Sequence, residues 1–391
     1  MKITDIKTIQ LKYPYEKMIA DGLSCCGGRG AFLIIVETDT ELYGLGESAT
    51  FGASMAAMAQ IVETQLKPLL IGENPAMIEK LWMKMTWNNF ANGRRGLVKA
   101  VISGIDIALW DLLGKMAGLP VSQLLGAVTD KVQGYASAGF YAEEKSLDDL
   151  KREIEGYLKR GYSAFKMKVG RTSKNWKMPL QFMQQGNYLY TKEFDEQRVE
   201  AVHSMLDKDD IFMLDMNCTW NIEDVLDAED FFAENNIYMI EEPIRNDDLE
   251  GYARLTSELK HVRVAGCESE QGLDQYKQML EASAVDVVQA NLGWSGGFTE
   301  CTKIAALSQA WNKLFTPHTF FSAVLTAANV QFASTQYNVP FIESEENFNP
   351  LRTDLLKTPI ACDEHMNYIV PQGPGLGVEL DWDVVNQYGV K

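Results

Sequence analysis

Positive charge is the scarcest property of this chain. It has 36 lysines and arginines against 54 aspartates and glutamates, a net charge of −18 at pH 7. Such a chain offers no basic field to a nucleic acid. It also repels anions at long range, so a site for an acid needs a local metal ion or local Lys/Arg. Histidine is rare too, with four in the chain. The six cysteines, at 25, 26, 218, 267, 301 and 362, lack zinc-site spacing. Cys25 and Cys26 are either a strained pair or, like the rest, reduced thiols of a cytosolic protein. No apolar run approaches the ~18 residues of a membrane span. Met1-Lys2-Ile3-Thr4-Asp5 lacks the apolar stretch of a signal peptide. These absences lead us to expect a cytoplasmic protein with no membrane or nucleic-acid partner.

Low-complexity segments and Pro/Gly/Ser-rich linkers are missing as well, so domain organisation must be read from rhythm. Residues 3–12 and 31–37 have strand character, and Gly27-Gly28-Arg29-Gly30 between them reads as a flexible loop. From 53 to 118 the period is helical. Ala100, Ile107 and Leu113 belong to a buried helix that stops at Gly118-Leu119-Pro120. From about 131, short apolar runs alternate with amphipathic stretches. The runs are 131–139, 163–169, 211–216, 237–241, 262–267, 285–290, 313–316 and 339–342. Helices such as 147–160, 223–235 and 299–312 separate them. Strands alternating with helices in this number predict a (β/α) barrel. Residues 171–190, with Trp176, Met178, Phe182, Met183, Tyr188 and Tyr190, look like an insertion. The expected division is an α+β lobe over 1–125, a barrel over 126–355, and a segment over 356–391 that returns to the first lobe.

In a parallel barrel the chemistry sits at the C-terminal strand ends. Three consecutive runs close on Asp215, Glu241 and Glu268. Any one of them reads equally as a solvated carboxylate or a helix N-cap. Three converging without a cation would repel, and all-oxygen ligation suits Mg²⁺. Lys166 and Lys168 on the preceding run share one face by strand alternation. They are either snorkelling surface lysines or a pair awaiting anions. In the second case one would depress the other's pKa and leave a base.

With these motifs in place the chain resembles the enolase superfamily, in its mandelate racemase/muconate lactonizing enzyme branch. The resemblance rests on Ser103-Gly104-Ile105-Asp106-Ile107-Ala108-Leu109-Trp110-Asp111, Lys166-Met167-Lys168, Asp215-Met216-Asn217, Glu241-Glu242-Pro243, Ala265-Gly266-Cys267-Glu268 and Pro317-His318, in that order. It implies a (β/α)7β TIM-like barrel under an α+β capping domain. It implies one Mg²⁺ per subunit on Asp215, Glu241 and Glu268, with Lys168 as the base and Lys166 beside it. The Asp106/Asp111 helix then bridges cap and barrel. The reaction implied is removal of the proton next to a substrate carboxylate, through a metal-stabilised enediolate. Glu343 stands where such enzymes often place an acid; it either donates to the enediolate when protonated or belongs to a solvated run with Glu345 and Glu346.

One departure matters. The sixth run ends on Asn291, where the racemase-like subgroup has an aspartate and the muconate-type subgroup a lysine. Asn291 can accept a hydrogen bond from His318 but cannot raise its pKa as a carboxylate would. A two-base racemase is disfavoured. Dehydration of a hydroxy or sugar acid is the leading expectation, with His318 either as acid for the leaving hydroxyl or as a donor to substrate. A cycloisomerase, racemase or epimerase is the alternative, and a metal- and carboxylate-binding barrel without turnover is the third. The remaining expected substrate contacts are Asn217 and Arg29, the latter meeting a distal carboxylate or lying at the surface. Residues 16–30 and Thr50-Phe51-Gly52 are expected to close over the substrate. Trp82, Trp87 and Asn88 either line the mouth or pack helices. The expected partners are a small-molecule carboxylate and further copies of the chain, as a homo-oligomer.

Overall fold

The computed structural model describes residues 1–171 and 191–390, so nearly all of the expected insertion lies outside the described residues. A four-stranded sheet forms the first lobe. β1 (Ile3–Ala20) pairs antiparallel with β2 (Cys25–Thr38), and β2 with β3 (Tyr43–Ser48). The apolar run Ala31–Val36 is buried throughout because its two faces enter different cores. Phe32, Ile34 and Val36 join the cap helices, while Ala31, Leu33 and Ile35 join the larger core that continues under the barrel. A strand's period of two makes that split. The expected flexible loop at Gly27–Gly30 is instead part of β2, with Gly28 opposite Pro14. A Cβ on Gly28 would sit 2.4 Å from the Tyr13 carbonyl oxygen, so glycine is there for close approach of two chains.

Eight parallel strands make the second lobe. Following β4 (Lys131–Ala138) comes a two-residue strand, β5 (Tyr141–Ala142), which joins the cap sheet at Ala20. Then follow β6 (Ala164–Lys168), β7 (Ile211–Asp215), β8 (Ile237–Glu241), β9 (Arg263–Gly266), β10 (Val287–Val288), β11 (Leu314–Phe315) and β12 (Ile342–Glu345). The order β11-β10-β9-β8-β7-β6-β4-β12 curls the sheet into a barrel. At the seam, Phe315 N–H donates to the Asn338 carbonyl at 3.0 Å. Tyr135, Ala164, Met213, Met239, Ala265, Val287 and Phe341 fill the interior. No helix among the described residues is long and apolar enough to cross a membrane.

Two elements differ from expectation. The last strand starts at Ile342 and not at Val339. Pro340 has no N–H to give the ladder, and pairing with β4 begins only after it. Glu343 therefore lies inside the strand and Glu345 ends it. The expected helix 223–235 is two, Ile222–Asp227 and Glu229–Glu234, broken at Ala228, whose N–H turns back to the Val225 carbonyl at 3.2 Å.

The helix Leu97–Ala117 bridges the lobes through two buried carboxylates. Asp106 accepts from Thr299 N (3.0 Å) and Thr299 Oγ1 (2.6 Å) on the barrel. Asp111 accepts from Leu45 N in β3 and Leu376 N in the tail, both at 2.7 Å. The tail first adds β13 (Asn367–Ile369) to β4, then brings Val390 N–H to the Gln10 carbonyl at 2.8 Å.

Candidate active site

Register brings three of the singled-out residues together. Lys168 is opposite Asp215, and Asp215 opposite Glu241, on neighbouring strands. Parallel strands in register place successive side chains at one height on one face. Lys168 Nζ contacts Asp215 Oδ2, and Lys166 Nζ lies 2.7 Å from Glu241 Oε1, 2.9 Å from Glu343 Oε1 and 3.7 Å from Asp215 Oδ2. Neither lysine snorkels, and Lys166 is 1% exposed. Across the mouth, His318 Nε2 lies 3.3 Å from Glu268 Oε2 and 3.7 Å from Glu343 Oε2. All seven residues thus form one cluster, buried but for the half-buried Glu268.

Charge within the cluster is lopsided. Burial would raise the Asp215 carboxyl, but Lys168 and Lys166 outweigh it and take it down to about 2. The same competition, won chiefly by Lys166, brings Glu343 down to about 2. Glu343 is thus a carboxylate in this arrangement, not the protonated donor expected, because a buried ammonium faces it. Its neighbours are not a solvated run either, since Glu343 and Glu345 are buried. Glu241 and Glu268 are pushed well up by burial and by the other carboxylates around them. The Lys166 charge does depress Lys168, as expected, but it is outweighed. Burial opposes their charge, yet the carboxylates prevail and hold both pKa values up.

Asp215, Glu241 and Glu268 are hard oxygen donors on adjacent strand ends, two of them disfavoured as anions for want of positive charge. That donor set fits a divalent ion such as Mg²⁺. Among the described residues no three acidic, histidine or cysteine side chains already close on one point. The lysines take up the oxygens of Asp215 and Glu241 instead.

His318 is buried, and burial lowers its imidazole to about 4. Asn291 Nδ2 lies 2.7 Å from His318 Nδ1. The direction of this hydrogen bond follows the imidazole tautomer, and Asn291 Oδ1 has no other partner among the described residues. The contact joins the expected pair, Asn291 and His318. Phe51 stacks on His318 at 5.5 Å from the cap, with Phe320 on the same ring at 5.7 Å.

Asn217 fastens the cap to this rim. Its Oδ1 accepts from Gly22 N at 3.2 Å. A Cβ on Gly22 would meet the carbonyls of Met216 and Val169 at 2.7 and 2.8 Å, so the cap turn rests directly on the ends of β6 and β7. Arg29 is neither at the surface nor free. It is buried and ion-paired to Glu345 at 3.1 Å. Trp82 and Trp87 do not line the mouth. Trp82 donates to the Gly296 carbonyl, and Trp87 stacks on Phe90 at the surface.

Several residues of the site carried no signal. Gln289 donates to Glu241 at 2.5 Å, and its place two residues before Asn291 on the sixth strand was the clue available. Arg198, paired to Asp195 at 2.7 Å, donates to the Lys168 carbonyl at 3.1 Å. Arg171 donates to the carbonyls of Asp21 and Ser24 at 3.2 and 3.3 Å, which holds the cap turn down. These contacts span separate elements, and no local pattern encodes them.

Residues 149–384 match the family model described as enolase C-terminal domain-like. Residues 25–126 match that of the mandelate racemase/muconate lactonizing enzyme N-terminal domain. The chain is 33% identical over 393 residues to an arabinonate dehydratase of Saccharolobus solfataricus, covering 100% of both chains. It is 30% identical over 400 residues to a D-galactarolactone cycloisomerase of Agrobacterium fabrum, covering 99% of each. A putative mandelate racemase from Bordetella bronchiseptica RB50 has a TM-score of 0.89 at 30% identity, over 100% of this chain and 95% of that one. A racemase from Streptomyces coelicolor A3(2) with bound magnesium has a TM-score of 0.86 at 27% identity, over 99% and 100%.

Proposed function

The chain belongs to the mandelate racemase/muconate lactonizing enzyme family of the enolase superfamily, and from that premise we propose that it removes the α-proton of a polyhydroxy carboxylate and then expels the β-hydroxyl. One observation carries the reading. Lys168, Asp215 and Glu241 stand side by side on three strand ends, with His318 and Glu268 facing each other at 3.3 Å. A dehydratase relative along the whole chain supports the elimination.

We assign Asp215, Glu241 and Glu268 to one Mg²⁺. Bound there, the ion supplies positive charge to the substrate carboxylate as it becomes an enediolate. The residues do the rest. Once Asp215 and Glu241 have their charge matched elsewhere, Lys168 loses the carboxylates that held its pKa up against burial and the Lys166 charge. Lys168, at the outer end of β6, then loses its proton and serves as base, while Lys166 stays paired with Glu343. His318, charged as the leaving group departs, gives its Nε2 proton to that hydroxyl and returns to neutral imidazole as water leaves. Burial opposes that charge and Glu343, facing Nε2, favours it. Phe51 and Phe320 cover the ring and keep water off that face.

Cycloisomerisation is the second reading. It also needs one strong base and tolerates Asn291, and a relative bears that name. A panel of sugar acids with Mg²⁺, read for 2-keto product and for α-proton exchange in D₂O, separates the two. Keto product that disappears in Lys168→Ala supports dehydration. Turnover of lactones or muconates alone, with no keto product from any acid, rejects it.

A further inference from the structure

Three buried polar atoms near the proposed base have no partner: Arg29 Nε, Glu345 Oε2 and Tyr15 Oη. They come from three strands, β2, β12 and β1. The Arg29 guanidinium lies 5.2 Å from the Tyr15 ring centre, and its Nη2 donates to Glu345 Oε1 at 3.1 Å. Glu345 Oε1 accepts from Asn347 Nδ2 as well, at 2.6 Å, and Oε2 is left bare. Buried polar atoms in folded proteins nearly always have a partner. Three bare ones in a single cluster indicate that something polar belongs there.

The cluster adjoins the reacting face. Glu345 follows Glu343 by two residues on β12, on the same side of the strand and roughly 7 Å nearer the cap. Glu343 touches Lys166 and His318. Arg29 packs 4.7 Å from the Phe320 ring centre and 6.0 Å from that of Phe140. The same two rings lie 5.9 and 5.3 Å from Lys168 Nζ.

Charge decides what fits. Glu345 already matches Arg29, and Tyr15 is neutral, so the cluster has no net charge to offer. A second carboxylate would meet Glu345 with no free cation beside it. A hydroxyl can accept from Arg29 Nε–H and donate to Glu345 Oε2, and the Tyr15 hydroxyl can serve a second one. We propose that Tyr15, Arg29 and Glu345 form a subsite for the distal hydroxyl groups of a monocarboxylic sugar acid, and that this subsite excludes dicarboxylic ones. The inference rests on the α-proton reading and replaces the expectation that Arg29 meets a distal carboxylate.

The test uses the full chain with Mg²⁺ and pairs of aldonates and aldarates of matched configuration. Binding is read by calorimetry and chemistry by α-proton exchange in D₂O. Wild type should bind the aldonate of a pair on the order of 100-fold more tightly than the aldarate. Tyr15→Phe, which deletes only a hydroxyl, should weaken aldonate binding about tenfold. Glu345→Gln should narrow the aldonate preference at least about tenfold by exposing the Arg29 charge. Equal or tighter aldarate binding by wild type overturns the subsite. So do variants that stay folded and leave the preference unchanged, since the bare atoms would then hold only water. Selective aldonate binding without exchange keeps the subsite and rejects the α-proton chemistry, so the two failures are told apart.

Discussion

Glu47, on cap strand β3, is buried without a cation, and its removal has a calculable consequence. Its oxygens accept from Ser322 N (3.1 Å), Ser322 Oγ (2.5 Å) and Leu325 N (2.8 Å), at the start of the helix Ala323–Ala333 that follows His318. Burial outweighs these donors and pushes the carboxyl up to about 7 from an ordinary 4.5. The folded state therefore holds a proton that the unfolded chain releases between those two values. A raised carboxyl adds stability that is fully present below pH 4.5 and is lost as pH climbs through about 7. Raising the carboxyl from 4.5 to about 7 corresponds to about 3 kcal/mol. Unfolding entropy of roughly 2.1 cal/mol/K per residue, over the full chain, turns that into about 4 °C of melting temperature. Glu47→Gln keeps the shape and cannot ionise. Differential scanning calorimetry from pH 5 to 8, at one scan rate, should show wild type falling by about 3 °C relative to the variant, because pH 5 already lies above 4.5. Asp106 and Glu242, also near 7, titrate alike in both proteins and cancel in the difference. A constant offset across the range would mean that Glu47 is not the proton carrier and that the burial argument is wrong.

Other perturbations bear on the site and its support. Lys168→Ala should lower α-proton exchange at least about 100-fold in D₂O, and retained exchange would remove it as the base. Mg²⁺ should raise the melting temperature of wild type but not of Glu268→Gln, and chelation should reverse the rise; an equal rise in both would dissociate Glu268 from the metal. Asp111→Ala strands the amides of Leu45 and Leu376 and should cost about 2–5 kcal/mol in urea unfolding, against less than about 1 for an exposed acid such as Glu155. Arg171→Met should speed hydrogen exchange over residues 21–25 and raise KM more than it changes kcat, because that turn lies on the ends of β6 and β7.

The chain's own order carried much of this. Strand ends are where apolar runs stop, so reading the residue after each stop found Asp215, Glu241 and Glu268 one βα unit apart. Alternation put Lys166 and Lys168 on one face, and the departure at Asn291 was visible as a missing charge. These are local or periodic facts, and local geometry enforces them. The start of β12 was misread because apolar character continues across Pro340, while the ladder needs an N–H that proline lacks. Gly27–Gly30 was misread because glycine serves equally for flexibility and for the close approach of two strands.

Ionisation states and partners belonged to the fold alone. Glu343 is a carboxylate because Lys166, from another strand, lies 2.9 Å away. Arg29 is neutralised because Glu345 stands 316 residues on in sequence and one contact away in space. Sequence by itself determined which chemical groups gather at the barrel mouth, since strand period and βα spacing place them there. Only the tertiary structure decided which charges are already matched and which polar atoms are left bare. Desolvation and pairing depend on every neighbour within a few ångströms, and those neighbours come from distant parts of the chain.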